Sequence, residues 1–390
     1  MACLRPVAHD VYFVGAMDWN RRLFDSLIPL PDGTSYNAYL VKASEKTALI
    51  DTVDPVMWDL LDTLLDKSCA GSLDYIIIQH SEQDHAGSLP KVLQKFPMAK
   101  VVCNKTCKDL LITHLHIAED KFMVIEDGQT LSLGNRTLQF KNTPWVHWPE
   151  TMVSFLQEDR ILFSCDFFGS HMASSELFYE TGDSSFYEPC KRYFAEIMLP
   201  FRRIIAKNMD IVSQLDPLMI APSHGPIFKD PSMVMKAYAR WINDETADEV
   251  IIAYVSMHDS TRLMAEALTQ LLLDRRVKVK VFDLVHADLG KVAEALVDAR
   301  VLLLGSPTVL AGAHPVAANA AFLVNALRPK IRYAGVFGSY GWGGKMVEQI
   351  AGMLSGLKLE LLPTVLIKGM PRKEDYQQLQ VLADHIASLP

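Results

Sequence analysis

From residue 249 onward, unbroken apolar runs alternate with segments whose apolar residues recur at helical spacing. EVIIAYVS, VKVKVFDL, RVLLLGSP, YAGVFGS and LELLPTVLI read as strands, and TRLMAEALTQLLLDR, LGKVAEALVDA, AANAAFLVNAL, KMVEQIAGMLSGL and DYQQLQVLADHIASL as helices. Strands without polar alternation are covered on both faces, and strands joined by helices lie parallel. The pattern predicts a doubly wound parallel sheet.

The earlier half is patterned differently. Shorter β-rich runs dominate there: TALIDTV, YIIIQ, KVVCN, LQFKNT, MVSFLQ, RILFSCD and LMIAPSH. Gly, Asp and Asn punctuate them, and in EDGQTLSLGNRT the Leu-Gly-Asn-Arg stretch predicts a hairpin turn. Helical stretches such as DPVMWDLLDTLLDK and AGSLPKVLQKF interrupt the strands, so mixed sheets covered by helices, an α/β sandwich, are expected. The polar, acidic WINDETADEV (241–250) marks a break in composition. Domains of 1–248 and 249–390 are expected, which suits a chain of 390 residues.

The totals narrow the class. Hydrophobic residues make up 49% and charged ones 22%, enough for packed cores. A net charge of -8 argues against nucleic acid or anionic lipid as a partner. The N-terminal stretch MACLRPVAHDVYFVGAMDWN has no basic segment leading into a long apolar core, and no apolar run approaches the roughly 20 residues of a bilayer span. Six cysteines show no CxxC pair, so free thiols in a reducing cytoplasm are expected.

Four places in the first half combine a strand end with ligand-type side chains. They are HSEQDH (80–85), His147 in TPWVHWPETM, Asp166 in LFSCDFFG and His224 in APSHGPI. Each alone reads as an ordinary loop histidine or helix cap. Strand ends on one side of a sheet converge, so together His80, Glu82, Asp84, His85, His147, Asp166 and His224 can supply two metal ions, provided one carboxylate bridges. His80, Glu82 and Asp84 would share a face if extended; a glycine-free turn would re-aim each of them.

The order of these residues resembles the metallo-β-lactamase superfamily, whose signature is HxHxDH followed by His, Asp and His. Glu82 departs from it, standing where the zinc hydrolases have a second histidine. A carboxylate is a harder, more anionic donor than imidazole, better suited to iron cycling between ferrous and ferric states. HxExDH followed by a flavodoxin-like domain is the pattern of the flavodiiron proteins, and that resemblance spans almost the whole chain. It implies an N-terminal metallo-β-lactamase-like αββα sandwich followed by a C-terminal flavodoxin-like domain. One iron would be held by His80, Glu82 and His147, the other by Asp84, His85 and His224, with Asp166 bridging. In some family members the histidine at the place of His85 does not coordinate.

Three strand ends in the second half fit a flavin. Ser256, Met257, His258, Asp259, Ser260 and Thr261 precede a helix, where hydroxyls and backbone N–H groups can hold a phosphate or simply cap the helix. A second loop carries Ser306, Pro307, Thr308, Val309, Leu310, Ala311 and Gly312, and a third Ser339, Tyr340, Gly341, Trp342 and Gly343. Glycines allow close backbone approach to a planar ring, and Tyr340 or Trp342 can lie against it. The first strand lacks GxGxxG, which favours the mononucleotide FMN over a dinucleotide. The loops resemble those of flavodoxins and of the flavodiiron flavin module. Two departures stand out: SPTVLAG lacks the asparagine common after SPT, and His258 occupies a place often aromatic.

The resemblance implies an oxidoreductase that reduces dioxygen to water, nitric oxide to nitrous oxide, or both, at two irons supplied with electrons through FMN. It also implies a head-to-tail homodimer, or a dimer of such dimers, in which each FMN faces the partner's metals. With no rubredoxin or flavin-reductase domain in the sequence, the donor is expected to be a separate rubredoxin-like protein or a reduced deazaflavin. Tyr193 is a candidate for a proton or hydrogen bond beside the metals, and Trp148 for shielding them. Two other readings compete: a zinc-dependent hydrolase with an accessory domain, and a flavodoxin-like electron carrier with an inert first half.

Overall fold

The computed structural model describes residues 4–69, 72–179 and 184–390. The chain divides into two compact units. One is Met1–Phe194 with Phe201–Ile242, the other Ala195–Pro200 with Asn243–Pro390.

Two seven-stranded sheets build the first unit. The first sheet runs in the order Arg5–Ala8, Val11–Phe13, Tyr39–Lys42, Thr47–Ile50, Tyr75–Ile77, Lys100–Cys103, Phe122–Val124. The second runs Thr130–Ser132, Thr137–Asn142, Met152–Leu156, Ile161–Cys165, Met219–Pro222, Ile227–Phe228, Phe178–Tyr179. Period-two alternation explains how they stack. Ala48, Ile50, Ile77 and Val102 join Leu138, Phe140, Phe163 and Ala221 in a core shared by the two sheets. Their chain neighbours Leu49, Ile76, Ile78, Val101 and Cys103 face the other way. There they meet Leu61, Leu64 and Leu65 of the helix Trp58–Ser68, Val92 of Leu89–Lys95 and Leu111 of Lys105–Leu115.

The second unit is one parallel sheet in the order Lys278–Asp283, Glu249–Tyr254, Val301–Val309, Tyr333–Tyr340, then the short pieces Glu360–Leu361 and Val365–Lys368. Numbered along the chain this is 2-1-3-4-5, the flavodoxin order, whose ligand crevice lies between the first and third strands. Val250, Ile252, Val301 and Leu303 pack on the helices Ser260–Asp274 and Tyr376–Ala387. Ile251, Ala253, Leu302 and Leu304 pack on Leu289–Leu296, Pro315–Leu327 and Met346–Met353. The central strands Glu249–Tyr254, Val301–Val309 and Tyr333–Tyr340 are covered on both sides and apolar nearly throughout, whereas Lys278–Asp283, expected to be covered likewise, alternates Val and Lys and is half-exposed at the sheet edge.

Two local expectations are corrected. LELLPTVLI is two strands, not one: Pro363 falls between them, and a proline offers no N–H to a ladder. The stretch after Gly305 is not simply a loop. The strand continues to Val309 and returns through Gly312–Ala313, turning at Leu310 and Ala311 with φ of 47° and 59°.

The five described cysteines other than the outlying Cys3 are free and buried, and Cys3 lies outside the described residues. Among the described residues, no helix is long and apolar enough to cross a membrane.

Candidate metal centre and flavin loops

His80 follows the buried strand Tyr75–Ile77, and its imidazole is fully buried. The next residues change course without a glycine. Glu82 is extended (φ -61°, ψ 147°) and starts a short helix, Gln83–Ala86, that carries Asp84 and His85. The three side chains are therefore re-aimed instead of sharing a face. Thr52 secures the turn, with its N–H donating to His85 O at 2.7 Å. His147 sits in a loop closed by Thr143 N–H on Thr151 O, at 2.9 Å. Asp166 follows the strand Ile161–Cys165 and His224 the strand Met219–Pro222, which are paired in parallel, so both residues emerge at one edge.

All seven candidate ligands meet there in two groups. In the first, Glu82 Oε2 lies 3.0 Å from His80 Nε2 and 3.1 Å from His147 Nε2. Asp166 Oδ2 lies 3.6 and 3.5 Å from the same nitrogens. In the second, Asp84 lies 3.4 Å from His85 Nε2 and 3.1 Å from His224 Nε2, while Asp166 Oδ1 stands 3.1 and 3.3 Å from them. Asp166 thus turns one oxygen to each group.

These donors fit two cations. Both oxygens of Asp84, both ring nitrogens of His85 and Oδ2 of Asp166 are buried with no hydrogen-bond partner. They crowd together without bonding to one another. Donors about 2.1 Å from a shared cation, roughly at right angles, stand about 3 Å apart.

The electrostatics agree. Burial opposes charge on His80, but hydrogen bonds to Glu150 and Glu82 outweigh it and hold the imidazole well above its ordinary pKa. His224 is held up to about 10 against the same burial by Asp166 and Asp84. Asp166 and Glu82 resist burial through His85 and His224, and through His147 and His80, so both are held below the usual carboxylate range. Protons and metal ions compete for such a set of donors.

Several supporting residues carried no sequence signal of their own. Glu150 lies three residues beyond His147 and is wholly buried, 2.8 Å from His80 Nδ1. His171 lies five residues beyond Asp166, its ring 5.0 Å from that of His224 and its Nδ1 2.9 Å from Thr34 Oγ1. Ser35 O accepts from His224 Nδ1 at 2.6 Å. Buried Asp51 accepts from Gln79 N–H at 2.8 Å and from Ser223 Oγ at 3.3 Å, joining the His80 and His224 loops. Of the two neighbours singled out from the sequence, Tyr193 is buried and donates to Asp166 Oδ1, and Trp148 packs edge-on against His80 at 4.9 Å.

In the second unit, the three predicted loops emerge at the carboxyl ends of the first, third and fourth strands. Ser256 Oγ accepts from Arg262 N–H at 3.2 Å, as in a helix cap, while Asp259 turns to the Arg262 side chain at 2.9 Å. Thr261 and Ser339 bring their hydroxyls within 3.5 Å at the start of the helix Ser260–Asp274. Pro307 and Ser339 are neighbours across adjacent strands. A Cβ on Gly341 or Gly343 would meet nothing within 4 Å, and Leu310 and Trp342 are 97% and 80% exposed beside them. Hydroxyls at a helix start, with open glycines and apolar side chains on the same edge, fit a phosphate and a planar ring.

Comparison with known proteins follows the same division. Residues 34–225 match the family described as ODP family beta lactamase, and residues 252–380 match flavodoxin. A nitric oxide reductase of Moorella thermoacetica is 36% identical over 98% of both chains. An anaerobic nitric oxide reductase flavorubredoxin of Pectobacterium carotovorum is 33% identical over 97% of this chain and 76% of its own. Among solved structures, the rubredoxin oxygen:oxidoreductase of Desulfovibrio gigas has a TM-score of 0.93 at 31% identity, covering 99% of this chain and 98% of the other. The flavodiiron protein of Giardia intestinalis has a TM-score of 0.94 at 27% identity, covering 99% and 96%.

A lactamase-like sandwich and a flavodoxin sheet in one chain, with relatives of these kinds, define an oxidoreductase. The chain belongs to the flavodiiron protein family.

Proposed function

We propose that this protein reduces nitric oxide to nitrous oxide, dioxygen to water, or both, at two irons, with FMN relaying electrons from an external donor. The observation that carries the reading is Asp166, whose two oxygens face two separate donor groups, one of them containing Glu82. Iron at that pair supplies a reducing centre for a small gaseous oxidant, and FMN supplies electrons singly.

In this reading His80, Glu82 and His147 hold one iron, Asp84, His85 and His224 the other, and Asp166 bridges. Tyr193 steadies the bridge through its hydrogen bond. Ser256 to Thr261 hold the FMN phosphate, while Ser306 to Gly312 and Ser339 to Gly343 bracket its ring. The donor is of rubredoxin type, as the name of the Desulfovibrio gigas relative suggests. The protein works as a head-to-tail homodimer in which each flavin serves the partner's irons. Buried free thiols suit the reducing cytoplasm as its location.

Metal and flavin analysis combined with turnover tests the reading. Two irons and one FMN per chain are expected, with consumption of nitric oxide or dioxygen by the reduced protein. Zinc alone with hydrolytic activity would identify a lactamase-type hydrolase instead. Flavin reduction without metal-dependent gas consumption would identify an electron carrier.

A further inference from the structure

The two donor groups are chemically matched. Each has two imidazoles, one terminal carboxylate and one oxygen of Asp166. They differ in burial, since Glu82 and His147 are half-buried and the second group is buried throughout, and in what lies behind the imidazoles. Glu150 Oε1 stands 2.8 Å from His80 Nδ1 and also accepts from the Ser81 N–H at 3.0 Å and the Ser81 hydroxyl at 2.7 Å. Its side chain is fully buried, and Asn104 Nδ2 anchors its backbone carbonyl at 2.7 Å.

Among the described residues, no carboxylate accepts a hydrogen bond from the Nδ1 of an imidazole of the second group, and buried Asp51 acts on His85 through its charge without one. His224 Nδ1 donates to a neutral backbone carbonyl, Ser35 O, and His85 Nδ1 is buried with no hydrogen-bond partner. Among the described residues, Glu150 is the one carboxylate on the far nitrogen of a candidate-ligand imidazole. A buried carboxylate there fixes the Nδ1–H tautomer, leaves the Nε2 lone pair for a cation and makes that nitrogen more basic.

We propose that Glu150 is a positioning residue that makes the His80–Glu82–His147 subsite the stronger of the two, the subsite that loses its metal last. The inference rests on the two-iron reading above and adds an order to the pair. Donor type alone would leave the two subsites nearly equivalent, so the order comes from the charge behind His80, acting against the greater exposure of Glu82 and His147.

Iron release to a chelator from the loaded, dimeric holoenzyme tests this. The native protein should lose its iron in two phases. Asp84→Asn, which strips the other subsite of its carboxylate, should retain the slow phase at its native rate. Glu150→Gln keeps the size of the side chain and can still accept hydrogen bonds, but it removes the charge. It should speed the slow phase about 10- to 100-fold and leave the fast phase unchanged. Ser81→Ala, which leaves the carboxylate on His80, should move the slow phase by no more than a few-fold.

Acceleration of both phases alike, of neither, or of the fast phase alone overturns the proposal. So does an Ser81→Ala effect as large as that of Glu150→Gln. If Glu150→Gln does not fold, the native protein still decides, because a single release rate for both irons contradicts the asymmetry. A native protein that never holds two irons rejects the two-iron reading itself, a separate outcome.

Discussion

The Tyr193 hydroxyl donates a hydrogen bond of 2.9 Å to Oδ1 of Asp166. That oxygen also faces His85 and His224, so a phenol braces one half of the carboxylate that joins the two donor groups. Burial and the neighbouring Asp166 hold the phenol well above its ordinary pKa, so it remains a donor through the physiological range. Tyr193→Phe keeps the ring and removes the donor. A charge-assisted hydrogen bond of this kind contributes about 1.5–3 kcal/mol, so turnover should fall about tenfold or more while iron content stays at two per chain. Unchanged turnover would mean that the bond is only a packing detail.

Glu82 lies about equally far from His80 and His147, at 3.0 and 3.1 Å. Replacing this anionic donor by imidazole in Glu82→His lowers the charge of the first subsite and favours a softer metal. The expected result is less iron per chain, more zinc, and loss of gas turnover. Metal analysis of protein grown with both metals checks it, and native iron content with native turnover would contradict the ligand assignment.

Gly225 follows His224 with φ of +78°, and a Cβ there would run into the Ser170 side chain. Its N–H donates to Ser35 Oγ at 2.7 Å, beside the carbonyl that orients His224. Gly225→Ala should cost about 1–3 kcal/mol through the backbone alone, with the clash adding to it. Thermal unfolding should show the loss, accompanied by weaker metal retention at the second subsite.

His171 gives a pH prediction. Burial and then the nearby His224 hold its pKa well below the ordinary value, so the folded protein keeps it neutral. A bound cation would act in the same direction. Below about pH 6.5 the unfolded chain binds a proton that the folded one does not, so stability falls with falling pH by about 1.4 kcal/mol per unit from this residue. Above that pH the two states bind alike and the term vanishes. His171→Asn removes it. The gap in unfolding temperature between native protein and variant should therefore narrow on acidification, and a constant gap would show that His171 takes up a proton in the fold.

The proposed dimer can be tested by complementation. A chain with Glu82→His keeps its flavin loops, and a chain with Gly338→Ala would force a Cβ against the Ser306 backbone beside the flavin loops, disabling FMN binding. Each should be inactive alone. Mixed after dissociation, they should regain turnover in hybrid dimers, where one flavin faces one intact iron pair. No recovery despite confirmed hybrids would rule out electron transfer between subunits.

Much of this protein was legible before its structure. Buried parallel strands must be apolar along their whole length, so the runs at Val250, Leu302 and Val336 announced the doubly wound sheet. Ligand-type residues at strand ends announced their own clustering, because a sheet gathers its strand ends at one edge. The break at Pro363 was missed, because apolar content alone concealed it.

Tertiary structure decided the rest. No spacing relates Glu150 to His80 or Tyr193 to Asp166; those pairs are made by loops and helices folding back over the strand ends. The family resemblance implied Asp166 as the bridge, but the residues alone left open which carboxylate faces both groups, since that depends on the parallel pairing of Ile161–Cys165 with Met219–Pro222. Residue type and order are local and survive in the chain, whereas the groups behind the ligands depend on long-range packing.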